Sequence, residues 1–240
     1  MPSVPGMTEF RRSARIAGLA YLTIIVAGVF AELAVRSRVF VDGDPAATAQ
    51  HILDHQLLFR TGLAANVILL PCNVILAVFY HQLFNTVHRG LAGLAAGLIL
   101  VSTAIEGTNL LNHITPLILL RDGILPPAQA EAQAYLMLQS QSAGFAISLV
   151  VFGCSCLVVG ALIVRSGLLP RAIGGLMVLA GACYIANSFA TFLAPGFAAN
   201  LVPYILVPCF IAEAALAIRL VTTGVDRHRA AEIAVAGVGR

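Results

Sequence analysis

Six apolar runs, at about residues 16–34, 63–84, 91–119, 143–164, 173–193 and 201–220, divide this chain. Each is near or above the ~20 residues that a helix needs to cross the hydrocarbon core of a bilayer. No water reaches the backbone there, so each run must close its own hydrogen bonds as a helix. The pattern predicts an all-α, polytopic membrane protein built as a six-helix transmembrane bundle. Composition agrees: 10% of the 240 residues are charged and mean hydropathy is +0.92, against about 25% charged residues in soluble domains. The first run is longer than the about 7–15-residue apolar centre of a cleaved signal peptide, so it is read as helix one. No low-complexity linker interrupts the chain, which predicts a single transmembrane domain over 1–240.

The fourteen Lys and Arg positions are all arginine, and they fix an orientation. With the N-terminus inside, the inner side holds Arg11, Arg12, Arg15, Arg89, Arg165, Arg171, Arg219, Arg227, Arg229 and Arg240. The outer side holds Arg36, Arg38, Arg60 and Arg121. Ten against four predicts that both termini are cytoplasmic. The formal charge of +3 is too small and too scattered for a nucleic-acid partner; the expected partner is the lipid bilayer, and oligomeric state is left open. The outer loops, 35–60 and 121–142, are the long ones. Within the first, Asp44-Pro45 reads as a helix start, and a short interfacial helix over 44–59 gains an apolar side from Ile52, Leu57 and Leu58. The inner turns are tight. Leu169-Pro170-Arg171 stops helix four and restarts helix five, with Arg165 and Arg171 placed to meet anionic headgroups.

Ionisable groups at membrane depth are costly and mark candidate sites. Helix three carries Ser102, Glu106, Asn109 and His113. At 100° per residue, Glu106 and His113 fall only ~20° apart, with Ser102 and Asn109 within ~60° of them. A carboxylate and an imidazole on one stripe suit acid/base work or a proton path; a plain polar seam between helices is the alternative. Glu213 in helix six, behind an expected kink at Pro208, is a second candidate acid. Glu32, Arg60, Asn66, Asn73, Gln141 and Asn187 are expected to line a pocket, and Phe145, Phe152, Tyr184 and Tyr204 an apolar slot. Glu32 also has Arg36 one turn on, the spacing of an i,i+4 ion pair. Arg60 is expected to reach back to Asp42, Asp44 or Glu32 and hold the outer loop. Gly93-x-x-x-Gly97 reads as a helix-packing motif.

No metal or cofactor is expected. His51 and His55 lack a third ligand, His81 and His113 lie at opposite depths, and no Glu-x-x-His pair of the di-metal bundles occurs. The five cysteines all sit in apolar runs and read as packing residues.

A set of short motifs runs along the chain. Arg15-x-Ala17-Gly18-x-x-Tyr21-Leu22 opens helix one, and Gly43-Asp44 with Ala47-Thr48-Ala49 marks the outer loop. Leu58-Phe59-Arg60 enters helix two and Phe152-Gly153 lies in helix four. Gly160-x-Leu162-Ile163-x-x-Ser166-x-x-Leu169-Pro170-Arg171-x-x-Gly174 crosses the inner turn, followed by Ala180-Gly181-x-x-Tyr184 and Glu213. In these the chain resembles a bacterial integral membrane family, the domain of unknown function numbered 4386. The resemblance implies a six-helix protein of the bacterial cytoplasmic membrane and brings no activity with it.

Three functions remain: a membrane-embedded enzyme doing proton chemistry on a lipid or isoprenoid-type substrate, such as a cyclase or isomerase; a small-molecule or proton-coupled transporter; and a non-catalytic interaction protein. Against transport, the sequence has no internal repeat. The orientation can be tested directly. A reporter active only in the periplasm, fused after Arg240, is expected to stay silent, and strong activity would reverse the assigned topology.

Overall fold

The computed structural model describes residues 5–202 and 204–226, and every regular element among them is helical. Helix α1 (Pro5–Val29) runs into a π-helical stretch (Phe30–Arg36) and a final short turn, α2 (Ser37–Val39). Next come α3 (Pro45–Asp54), α4 (Gln56–Phe84), α5 (Arg89–Arg121), α6 (Pro127–Ser166) and α7 (Arg171–Leu193). Helix α8 (Pro195–Leu201), a 3₁₀ turn (Tyr204–Leu206) and α9 (Val207–Thr222) complete the order. Six segments are long and apolar enough to cross a membrane, so this is a multi-pass membrane protein. Arg227, Arg229 and Arg240, counted above towards the inner side, lie outside the described residues.

The spanning helices pack as a ring, α1 on α4, α4 on α5, α5 on α6, α6 on α7, α7 on α9 and α9 back on α1. One buried cluster fills the end that holds the α6–α7 turn and draws on all six helices, among them Tyr21, Phe84, Ile99, Leu162, Met177 and Leu216. A second, smaller cluster closes part of the opposite end, where Ile52 of α3 packs with Val35, Val39, Phe59, Leu117 and Leu138. Neither α7 nor α9 contributes to it. The bundle is thus packed through at the turn end and capped only on one side at the α3 end.

Local chemistry explains the boundaries. The Asp44 carboxylate accepts from Ala47 N at 2.9 Å and Pro45 takes the first helical position, so α3 starts where the sequence places it. It stops at His55, however, and Leu57 belongs to α4 with its side chain exposed. Residues 127–142, expected as loop, form the first turns of a 40-residue α6. This stretch has little hydropathy but a helical period, with Ala130, Ala134 and Leu138 buried one turn apart. Pro208 sits in the first turn of α9, where its missing N–H costs nothing, and makes no kink. Pro71 is carried inside a continuous α4.

The Gly93-x-x-x-Gly97 motif is not a packing face, because both glycines look onto open space. Close backbone contact is found instead between α6 and α7. A Cβ on Gly160 would stand 2.6 Å from Gly174 O, and one on Gly181 2.6 Å from Gly153 O. Gly160→Ala and Gly181→Ala must therefore push the helices apart, at about 1–3 kcal/mol each, while Gly93→Ala is expected to stay within about 0.5 kcal/mol of the parent. Thermal unfolding in detergent checks this; equal stability of Gly160→Ala and Gly93→Ala would mean that the seam does not hold α7.

Candidate functional site

A chain of polar contacts runs along α5 and α6 from the α3 end towards the middle of the bundle. At its outer end the π-helical stretch carries Glu32 and Arg36, whose charged groups lie 3.6 Å apart. Arg36 also stacks over the Phe40 ring at 4.8 Å and donates through Nη1 to Gln141 Oε1 at 3.2 Å. The backbone carbonyl of Gln141 accepts from Asn109 Nδ2 at 2.8 Å. Asn109 is buried and accepts from Asn112 Nδ2 at 3.2 Å; Glu106 lies one turn before it on the same helix. Gly144 makes room for this amide, since a Cβ there would collide with the Asn109 side chain.

Glu106 stands midway along α5 and meets Ser148 of α6. Ser148 Oγ lies 3.3 Å from Glu106 Oε2 and 2.9 Å from Phe145 O, and the Ser148 carbonyl accepts from Ser102 Oγ at 3.0 Å. A hydroxyl has one proton to give. Ser148 Oγ therefore shares that proton between the Glu106 carboxyl group and the Phe145 carbonyl. No described residue forms an ion pair with Glu106.

His113 departs from the expected stripe. Its ring lies 4.6 Å from that of Phe59, and Nε2 is 3.4 Å from the Phe59 carbonyl, which places it on α4 and away from Glu106. Seven residues along a helix align two side chains in angle but separate them by about 10 Å in height.

The second carboxylate has a different setting. Glu213 is buried at the turn-end side of the ring, where Tyr184 OH donates to Oε1 at 2.8 Å and Tyr21 is a further phenol nearby. Phe152 packs edge-on to Tyr184 at 5.7 Å. Tyr80 belongs to the same buried cluster, and its hydroxyl has no hydrogen-bond partner. Sequence reasoning selected Tyr184 for an apolar slot and did not assign Tyr21 to Glu213. The signal available was that both are tyrosines, polar-tipped rings at carboxylate depth.

The remaining expected pocket residues do not converge. Phe145 and Tyr204 are exposed, so no single slot unites them with Phe152 and Tyr184. Glu32 points outward on the widened π turn. Asn66 and Asn73 are half-buried on α4, and Asn187 is buried on α7 with Oδ1 unpartnered. Arg60 is exposed in a cleft with Ile114, Leu117, Ile118, Arg121 and Asp122 rather than reaching back to the loop acids. Those acids are otherwise engaged, Asp44 as the α3 cap and Asp42 with Tyr135 OH at 3.3 Å. His51 and His55 have ring centres 6.4 Å apart, and the described residues contain no cluster of three metal-binding side chains.

A family model described as "Domain of unknown function (DUF4386)" matches residues 16–224, and the chain belongs to that family. No curated protein and no solved structure matches it.

The two buried phenols near Glu213 make a paired test. Tyr184→Phe removes a 2.8 Å bond from an enclosed carboxylate and is expected to cost about 1–3 kcal/mol. Tyr80→Phe removes a hydroxyl that has no partner, so its unfolding midpoint in detergent should match or exceed that of the parent. An equal fall for both variants would contradict this assignment.

Proposed function

We propose that the protein is a membrane-embedded enzyme that transfers a proton to or from an apolar, lipid- or isoprenoid-type substrate, in a reaction of the cyclase or isomerase kind. It does so in the bacterial cytoplasmic membrane with both termini cytoplasmic. The observation that carries this reading is Glu106 itself, a carboxyl group midway along a spanning helix with no ion-pair partner among the described residues, one turn from the polar contacts that join Arg36, Gln141 and Asn109 and 3.3 Å from the Ser148 hydroxyl. A carboxyl group held so can give a proton to the substrate at one carbon, and the carboxylate that remains can take one back from another, which restores the acid at the end of an isomerisation or cyclisation.

Asn109 positions the acid. His113, held on Phe59, takes no part in the proton step, and Glu213 has the structural part, enclosed by phenols in the packed half of the ring. Transport is less well supported, because it requires access from both faces and the turn end is filled by side chains from all six spanning helices. Two clefts at the ends of the helices do not include Glu106, and in this reading the apolar substrate reaches it sideways from the bilayer.

Proton transfer to carbon leaves an isotopic mark. Membranes containing the protein and bacterial lipid extract, incubated in D₂O, are expected to accumulate deuterium at carbon in one lipid or isoprenoid species, read by mass spectrometry. Glu106→Gln keeps the shape of the side chain but cannot exchange a proton, and should abolish that label while the protein still inserts and purifies. Full labelling by Glu106→Gln would remove Glu106 from the mechanism.

A further inference from the structure

The turn between α6 and α7 meets the end of α9 in an open cleft of about 320 Å³, lined by residues 167–171 with Arg219 and Asp226. Its construction follows from the local sequence. Gly167 closes α6 in the left-handed region at φ 66°, Leu168 and Leu169 are buried as anchors, and Pro170 leads into α7. Asp226 N donates to Leu168 O at 2.9 Å and ties the segment after α9 to the turn. The volume is at the lower end of the about 300–1,000 Å³ typical of small-molecule sites.

Two arginines from different helices line this cleft. Arg171 opens α7, and Arg219 comes from the last turn of α9. Arg219 Nε is buried and has no hydrogen-bond partner, a costly state for a charged donor. At the start of α7 the first inward bond of the turn is from Ile173 N to Pro170 O. The N–H groups of Arg171 and Ala172 therefore stand ahead of the helical ladder, at the positive end of the helix dipole. Asp226 is the carboxylate on the rim, and it leaves the lining with two cations against one anion. Arg165, the arginine that sequence reading paired with Arg171, does not line the cleft.

We propose that this cleft binds a phosphate group, with Arg171 and Arg219 as its two fork-shaped ligands. Planar guanidinium donors match phosphate oxygens in pairs, and basic pockets between membrane helices on the cytoplasmic side are suited to anionic headgroups. The phosphate can belong to an anionic lipid of the adjoining leaflet or to a free phosphate in solution. The site is separate from Glu106 and does not depend on the enzymatic reading.

The test compares full-length protein in nanodiscs of phosphatidylcholine alone, phosphatidylcholine with phosphatidylglycerol, and phosphatidylcholine with added inorganic phosphate. A ligand that binds the folded state raises the unfolding midpoint by mass action. Phosphatidylglycerol is expected to raise it for the parent and for Arg165→Gln, which changes the same charge outside the cleft. The rise should vanish in Arg171→Gln/Arg219→Gln, with apparent affinity falling about fivefold for each arginine removed. Arg219→Lys, which keeps the charge but loses the fork, serves where the double variant does not fold, and should bind more weakly than the parent. A rise with inorganic phosphate as large as with the lipid would assign the site to free phosphate; a rise with the lipid alone assigns it to a headgroup. An equal response of the parent and the cleft variants, or an equal loss in Arg165→Gln, would reduce the effect to general surface charge and overturn the proposal.

Discussion

Helices already in hydrocarbon gain nothing by expelling water from between them, so their association depends on how closely their backbones can approach. In this bundle the closest approach is the α6–α7 seam, where Gly153 meets Gly181 and Gly160 meets Gly174. The seam sets the levels of everything near it. Tyr184, three residues beyond Gly181, is brought to Glu213, and Phe152, next to Gly153, packs against the Tyr184 ring. Alanines at buried positions such as Ala92, Ala95, Ala212 and Ala217 extend the same economy of side-chain volume around the ring.

The two midspan carboxylates illustrate how position within such a frame separates chemically identical groups. Glu213 accepts from the Tyr184 phenol and is closed in. Glu106 has an amide and a shared hydroxyl for neighbours and keeps more of its surface open. The difference arises from donor supply. A phenol near Glu213 has a proton to spare, whereas the Ser148 hydroxyl divides its attention between a carboxylate and the carbonyl one turn before it.

Much of the fold was legible in the sequence because hydrocarbon leaves the backbone so few choices. The six spans, the Asp44 cap and the Pro170 restart all follow from hydropathy, missing donors and first-turn geometry. What escaped lay where hydropathy falls silent. The first turns of α6 are polar outside and small inside, so only the spacing of Ala130, Ala134 and Leu138 revealed a helix. The π-helical stretch, a local change of winding with no single residue to announce it, turned Glu32 outward. The site was half legible. A stripe on one helix predicts which side chains point the same way, as for Ser102, Glu106 and Asn109, but not which neighbour receives each of them. His113 went to Phe59 for that reason. Glycine pairs were invisible in the same sense: Gly93 and Gly97 have the Gly-x-x-x-Gly spacing and no neighbour, whereas Gly160 and Gly174 have the neighbour without that spacing.

Helix α6 has a further consequence. Its 40 residues contain no interior proline, and at 1.5 Å per residue they form a rod of about 60 Å, twice the thickness of the hydrocarbon core. One end is built into the packing beneath α3 through Leu138, and the other ends at Gly167 on the edge of the arginine cleft. A rod of that length must extend past the hydrocarbon, and its polar first turns, with Gln129, Glu131 and Gln133, supply the part that stands outside it.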